Sequence, residues 1–182
     1  QSNVDLITDH IAEIVPDGIK TVDGKTHEYD VLAFATGFET TGWRWSVDVI
    51  GRDGQSITDA WEDGPEAYLG ITVTGFPNFF VLYGPNTNLG HNSITFMLER
   101  QVEYTLKALQ ALDEKGAAAL VPTEAAQAAY NADLQEKLGK TVWADPACNS
   151  WYKTGTGKIT QNWSGHTRAY ADAVAEVKLE DY

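Results

Sequence analysis

The spacing of apolar and polar residues changes period several times along the chain. Val4-Asp5-Leu6-Ile7 alternates at period two, which predicts a short strand. Ile11, Ile14 and Val15 follow, and Pro16-Asp17-Gly18 supplies a turn. Ile19 to Val22 predicts another short strand, and Asp23-Gly24 a hairpin. Asp30-Val31-Leu32-Ala33-Phe34-Ala35 is nearly continuous apolar sequence, as expected of a parallel-sheet strand buried on both faces. From Glu39 to Gly75 the periodicity is weak and Gly, Asp and Trp are frequent, so loops with short elements are expected. Phe79 to Tyr83 predicts a second buried strand, ending at Gly84-Pro85. After a polar loop, Asn86 to Asn92, helical spacing runs from about Ser93 to Lys115. Ile94, Leu98, Val102, Thr105, Leu109 and Leu112 share one face, with Ser93 as N-cap and Gly116 as stop. Pro122-Thr123-Glu124 opens another helix, with Tyr130, Leu134 and Leu138 as its stripe and Gly139 as its end. Trp143 to Gly165 is aromatic, Gly-rich and irregular, and a last helix is predicted from about Arg168 to Val177.

Buried strands among amphipathic helices make the class α/β. Two buried strands and a small hairpin system are few for a self-contained doubly wound sheet. The chain therefore reads as one portion of a larger α/β protein. It opens at Gln1 rather than a Met, and residues upstream of it are expected.

Composition narrows the functions. The 182 residues are enough for one ordinary domain, and 43% hydrophobic content allows a core. A net charge of -13 leaves too little basic surface for nucleic acid or an anionic membrane, and suits a soluble cytoplasmic protein. No apolar run approaches the roughly 20 residues of a membrane span, and no signal peptide is visible. Cys148 is the sole cysteine, which excludes an intrachain disulfide and cysteine-rich zinc sites. The four histidines are scattered, so no metal is expected. Cys148 itself reads as a buried small residue rather than a reactive thiol.

Chemistry concentrates at three places. Ala35-Thr36-Gly37-Phe38 closes the first apolar run. Small residues at the end of a parallel strand leave room for a ligand, and Gly37 would let the backbone approach a pyrophosphate. The alternative is a plain loop glycine after a core strand. Asp30 to Phe38 resembles the Ala-Thr-Gly segment of flavoproteins with two dinucleotide-binding domains, where it returns the chain from the NADP-binding to the FAD-binding domain. The added Phe38 is more typical of flavin monooxygenases and Baeyer–Villiger enzymes.

Gly75-Phe76-Pro77-Asn78-Phe79-Phe80-Val81-Leu82-Tyr83-Gly84-Pro85-Asn86 resembles a segment of Baeyer–Villiger and related N-hydroxylating monooxygenases. Its continuation, Asn86-Thr87-Asn88-Leu89-Gly90-His91-Asn92-Ser93, is similar to the 4-hydroxyacetophenone monooxygenase branch. A reduced flavin is anionic at its N1–O2 edge, and amides of Thr87 to Gly90 ahead of a helix suit such a charge. The alternative is a loop that merely caps the helix. His91 is either a cap or packed side chain, or an acid–base group.

Cys148-Asn149-Ser150-Trp151-Tyr152-Lys153 resembles the Ser-Trp-Tyr segment that forms a mobile loop over nicotinamide and substrate in Baeyer–Villiger enzymes. There Trp151 would stack on a cofactor ring or exclude water, and Lys153 would meet a phosphate or ribose. The alternative for Trp151 is a core or interface aromatic, and Trp143 and Trp163 read as such packing aromatics. The chain departs from the cyclohexanone-type pattern at Thr154-Gly155-Thr156-Gly157-Lys158.

The resemblance runs from about Val4 to past Trp163 and covers roughly the last third of the family's length. It implies the C-terminal fragment of a two-dinucleotide-binding-domain flavoprotein. Residues 1–38 would end the NADP-binding domain, and residues 39–182 would form the C-terminal part of the FAD-binding domain. The cofactor-binding set it implies is Ala35, Thr36, Gly37, Phe38, Gly84, Pro85, Asn86, Thr87, Asn88, Leu89 and Trp151. The Gly-rich FAD and NADP fingerprints are absent. No active-site arginine is assigned to Arg44, Arg52, Arg100 or Arg168. The implied activity uses FAD, NADPH and O2 to insert oxygen into a ketone, with the fragment inactive alone. Flavin N- or S-oxygenation, and a non-catalytic binding or assembly role, remain alternatives. Without the N-terminal domains, a homodimer of the fragment is expected.

Overall fold

A computed structural model describes residues 1–37, 47–146 and 150–182. Two compact units make up the chain, Gln1–Phe38 and Glu39–Tyr182. Helices and one small sheet give an α/β chain.

In the first unit, β1 (Ile11–Val15), β2 (Gly18–Thr21) and β3 (Thr26–Glu28) form an antiparallel sheet in that order. Ile14 pairs with Ile19 across the first turn. The Asp23-Gly24 turn forms as expected. The Thr21 hydroxyl donates to Asp23 Oδ1 at 2.6 Å, and the Thr21 amide donates to the Lys25 carbonyl at 2.9 Å. Two expectations are corrected. Val4 to Ile7 is not a strand, and Leu6 is 87% exposed. Asp30 to Ala35 is not a strand among the described residues, and Val31 and Phe34 face solvent. A strand buried on both faces needs layers packed on each, and among the described residues its own unit holds no helix to supply them.

The second unit holds α1 (Ile57–Ala60), α2 (Ile94–Lys115), α3 (Glu124–Leu138) and α4 (Thr167–Ala173). Both long helices begin and end where their caps predict. Ser93 Oγ accepts from the Phe96 amide at 3.2 Å, and Thr123 Oγ1 from the Ala126 amide at 3.2 Å. Gly116 closes α2 in the left-handed conformation, φ 59°. The final helix ends at Ala173, short of Val177.

The predicted face of α2 needs correction. Its buried residues are Met97, Gln101, Tyr104 and Ala108, one position before the expected stripe and so rotated by about 100°. Val102 and Leu109 are exposed instead. Phe79 to Tyr83 is also not a continuous strand. Phe80 pairs with Thr72 in an isolated bridge, and the Val81 amide donates to the Ile71 carbonyl at 2.7 Å. Positive φ at Asn78 (57°) and Tyr83 (59°) ends the extended stretch on both sides.

The main core joins Met97 and Tyr104 of α2, Leu134 and Leu138 of α3 and Tyr170 of α4 to Ile71 and Leu89. A second cluster gathers Ile57, Trp61, Val73, Phe76 and Val81. The last residues dock on the main core. The Tyr68 hydroxyl donates to the Asp181 carboxylate, and the Tyr182 hydroxyl lies 2.7 Å from that of Tyr104 and 3.0 Å from Thr72 Oγ1.

Candidate functional site

The polar loop ahead of α2 is held from both sides by backbone. On one side lies the 159–163 segment. The Asn86 amide donates to the Thr160 carbonyl and the Asn88 amide to the Gln161 carbonyl, each at 2.9 Å. The Trp163 amide returns a bond to the Asn88 carbonyl at 2.9 Å, completing a parallel bridge between Asn88 and Asn162. Side chains repeat the pairing. Asn86 Nδ2 donates to the Ile159 carbonyl (2.8 Å) and the Asn162 carbonyl (3.1 Å), and Asn88 Nδ2 to Asn162 Oδ1 (2.9 Å).

On the other side, Gly70 and Gly84 let two loops cross in contact. A Cβ on Gly84 would lie 2.3 Å from the Gly70 carbonyl oxygen. One on Gly70, which has φ 70°, would lie 2.3 Å from Thr87 Cγ2 and 2.7 Å from the Pro85 carbonyl oxygen. Thr87 is fully buried, and its hydroxyl donates to the Gly84 carbonyl at 2.7 Å. Asn86 and Thr87 are therefore braces, and any contact they make with a ligand runs through backbone.

This arrangement narrows which amides can meet an anion. The amides of Asn86, which sits at φ 59°, and of Asn88 are committed to residues 160–161. Gly90 is exposed with open space where a side chain would stand. The 22-residue α2 starts shortly afterwards, and its dipole adds positive potential. Amides at Leu89 and Gly90, beside that open space, fit a delocalised anionic edge such as the N1–O2 side of a reduced flavin.

The aromatic segment joins the same strip. The Thr160 amide donates to the Tyr152 carbonyl at 3.2 Å, and Lys153 bridges Ile159. Trp151 is 53% exposed and lies over Tyr152, with ring centroids 4.1 Å apart. Lys153 Nζ donates to the Asp145 carbonyl at 3.0 Å. Trp143 and Trp163 pack with the core, and the Trp163 ring meets Tyr170 edge-on at 5.2 Å. His91 is exposed, its ring edge-on to His166 at 6.2 Å. The Tyr83 hydroxyl donates to Asn88 Oδ1 at 2.8 Å, and burial followed by nearby Tyr152 pushes its phenol pKa up.

Gly84 to Leu89 and the Trp151 segment are thus brought together. In the other unit, Ala35, Thr36 and Gly37 are exposed, and Gly37 has φ 71° with open space beside it. Phe38, Arg44, Cys148 and Asn149 lie outside the described residues. Among the described residues no cluster of three metal-ligating side chains occurs, and no helix is long and apolar enough to cross a membrane. Sequence reading missed Gly70, Thr160, Asn162 and Gln101. Gln101 alone carried a signal, a polar residue flanked by Met97 and Tyr104 at helical spacing.

No family model matches the chain. Over 185 residues it is 42% identical to an FAD-binding monooxygenase of Aspergillus niger, covering 100% of the chain and 30% of that protein. It is 40% identical to a Baeyer–Villiger monooxygenase of Pseudomonas aeruginosa, covering 91% of the chain and 32% of that protein. A solved steroid monooxygenase bound to NADP superposes with TM-score 0.71 and 29% identity, over 94% of the chain and 32% of that structure. Closed cyclohexanone monooxygenase superposes with TM-score 0.69 and 32% identity, over 91% and 31%. The chain thus spans about a third of the length of these relatives.

Proposed function

From its homology to Baeyer–Villiger-type flavin-containing monooxygenases, to whose C-terminal portion it corresponds, we propose that this chain supplies one wall of a flavin site in a longer enzyme. The observation that carries the reading is relatedness, along all of this chain and 30% of the relative, to an FAD-binding monooxygenase at 42% identity. When bound, FAD reduced by NADPH would activate O2, one atom of which enters a ketone to give an ester or lactone while the other leaves as water.

The chain's own residues act by position and charge. Leu89 and Gly90 would present amides to the negative edge of the ring, backed by the α2 dipole, which would favour the anionic over the neutral form. Gly84, Pro85, Asn86, Thr87 and Asn88 hold those amides in place through the 159–163 strip and the Gly70 crossing. Ala35, Thr36 and Gly37 would pass close to the dinucleotide phosphates on return from the NADP-binding domain. Trp151 would cover the nicotinamide and keep bulk water out.

Upstream FAD- and NADP-binding domains complete the site, so this chain alone is inactive. Val31, Phe34, Val102 and Leu109 would be covered by those domains, and the isolated chain would pair with a second copy through them. The net charge of -13 supports a cytoplasmic location.

The test is the full-length gene product assayed with NADPH, a ketone and labelled O2. A yellow protein that transfers one labelled oxygen into an ester supports the proposal. A label in a sulfoxide or N-oxide only would move the activity to soft nucleophiles. A colourless full-length protein would leave a binding or assembly role in its place.

A further inference from the structure

The loop that carries Leu89 and Gly90 leaves the extended stretch at Tyr83, which sits at φ 59°. A non-glycine residue in that region costs energy and persists only where its surroundings hold it. The holding group is on α2. Gln101 is completely buried, and its Oε1 accepts from the Tyr83 amide at 2.8 Å. Its Nε2 donates to the Tyr170 hydroxyl at 2.9 Å, and that hydroxyl donates to the Leu69 carbonyl at 2.9 Å. Leu69 is also left-handed, φ 57°, and directly precedes Gly70.

One buried relay therefore ties together the two strained corners that flank the Gly70–Gly84 crossing. Every donor and acceptor in it is used in one direction: Tyr83 N–H to Gln101, Gln101 to Tyr170, Tyr170 to Leu69. Burial keeps the Tyr170 phenol neutral and hence a donor, raising its pKa well above the ordinary range. A neighbouring helical position would have served packing with an apolar side chain. The amide instead supplies an acceptor at one end and a donor at the other, which an apolar residue cannot.

We propose that Gln101 is a positioning residue. Through Tyr83 on one side and Tyr170 and Leu69 on the other, it sets where the Leu89 and Gly90 amides stand against the flavin. This inference rests on the functional reading above.

The experiment uses the full-length protein reconstituted with FAD. It measures the FAD dissociation constant and the visible circular dichroism of the bound flavin, with thermal stability recorded in parallel. Gln101→Met keeps the volume but leaves the Tyr83 amide and the Tyr170 hydroxyl without their partner, and FAD affinity should fall by about tenfold with an altered flavin band. Gln101→Glu, whose buried carboxyl favours its neutral form, keeps an acceptor and a donor and should stay within about threefold of wild type. Tyr170→Phe removes the hydroxyl that joins Gln101 Nε2 to the Leu69 carbonyl but leaves the Tyr83 bond, and should fall between the two, which keeps the inference testable if Gln101→Met does not fold. Tyr104→Phe removes a bond from the same helix away from the relay. It should lower stability without moving affinity or spectrum.

Wild-type affinity and spectrum in Gln101→Met and Tyr170→Phe would overturn the inference, as would a Tyr104→Phe protein that shifts both readouts equally. A wild-type protein that binds no FAD would remove the functional reading and this inference together. Normal FAD binding with unaffected relay variants would remove the inference alone.

Discussion

Replacing Gly70 by Ala puts the strongest demand on the crossing that supports the candidate site. Gly70 sits at φ 70°, where any Cβ costs about 1–2 kcal/mol. The new methyl would stand 2.3 Å from Thr87 Cγ2 and 2.7 Å from the Pro85 carbonyl oxygen. Neither neighbour yields cheaply. Thr87 is fully buried with its hydroxyl held by Gly84, and Pro85 presents backbone. Overpacking of this kind adds about 1–3 kcal/mol. The sum, about 2–5 kcal/mol, is a large part of the roughly 5–15 kcal/mol that holds an ordinary domain together. Gly155→Ala is the comparison, because a Cβ there meets open space and should change stability by no more than about 0.5 kcal/mol. Urea titration of the full-length holoprotein, followed by tryptophan fluorescence and by FAD release, reads both effects. A Gly70→Ala protein within about 0.5 kcal/mol of wild type would refute the close-crossing argument.

Ser93→Ala removes the hydroxyl that caps α2 and should cost about 1 kcal/mol in the same titration. Asn78→Ala loses the bonds from its Nδ2 to the Ala118 carbonyl (3.1 Å) and from the Leu120 amide to its Oδ1 (2.9 Å), at about 2 kcal/mol. Burial raises the phenol pKa values of Tyr68, Tyr104, Tyr170 and Tyr182 in the folded protein. Their contribution is complete below the unfolded value of about 10 and is lost as pH rises beyond it, so unfolding should steepen above about pH 10 and less so in Tyr182→Phe. Trp151→Ala should leave stability within about 0.5 kcal/mol, since the ring is 53% exposed, while raising the KM for NADPH in steady-state assays.

Local signals were legible wherever structure is decided locally. Ser93, Gly116 and Thr123 bounded their helices, and Asp23-Gly24 marked its hairpin, because caps and turns depend on a few neighbouring residues. Strand identity was not legible. The apolar run at 30–35 has a strand's composition, yet burial on both faces depends on covering layers, and its unit holds no helix among the described residues. The face of α2 misled for a related reason. Both of its faces are largely apolar, and the one this chain buries includes Gln101, whose polarity hid it. At the candidate site the motif residues Gly84 to Leu89 were visible as sequence. Gly70 and Asn162 were not, because they act across long separations through backbone approach and buried hydrogen bonds, and Gln101 showed only as a polar residue between Met97 and Tyr104.

The most direct test of flavin contact at this loop is hydrogen exchange across residues 84–93 in the full-length protein, with and without FAD. The Asn86 and Asn88 amides, already bonded to residues 160–161, should exchange slowly in both states, whereas Leu89 and Gly90 should slow markedly only when FAD is present. Unchanged exchange at Leu89 and Gly90 on saturation with FAD would contradict the account.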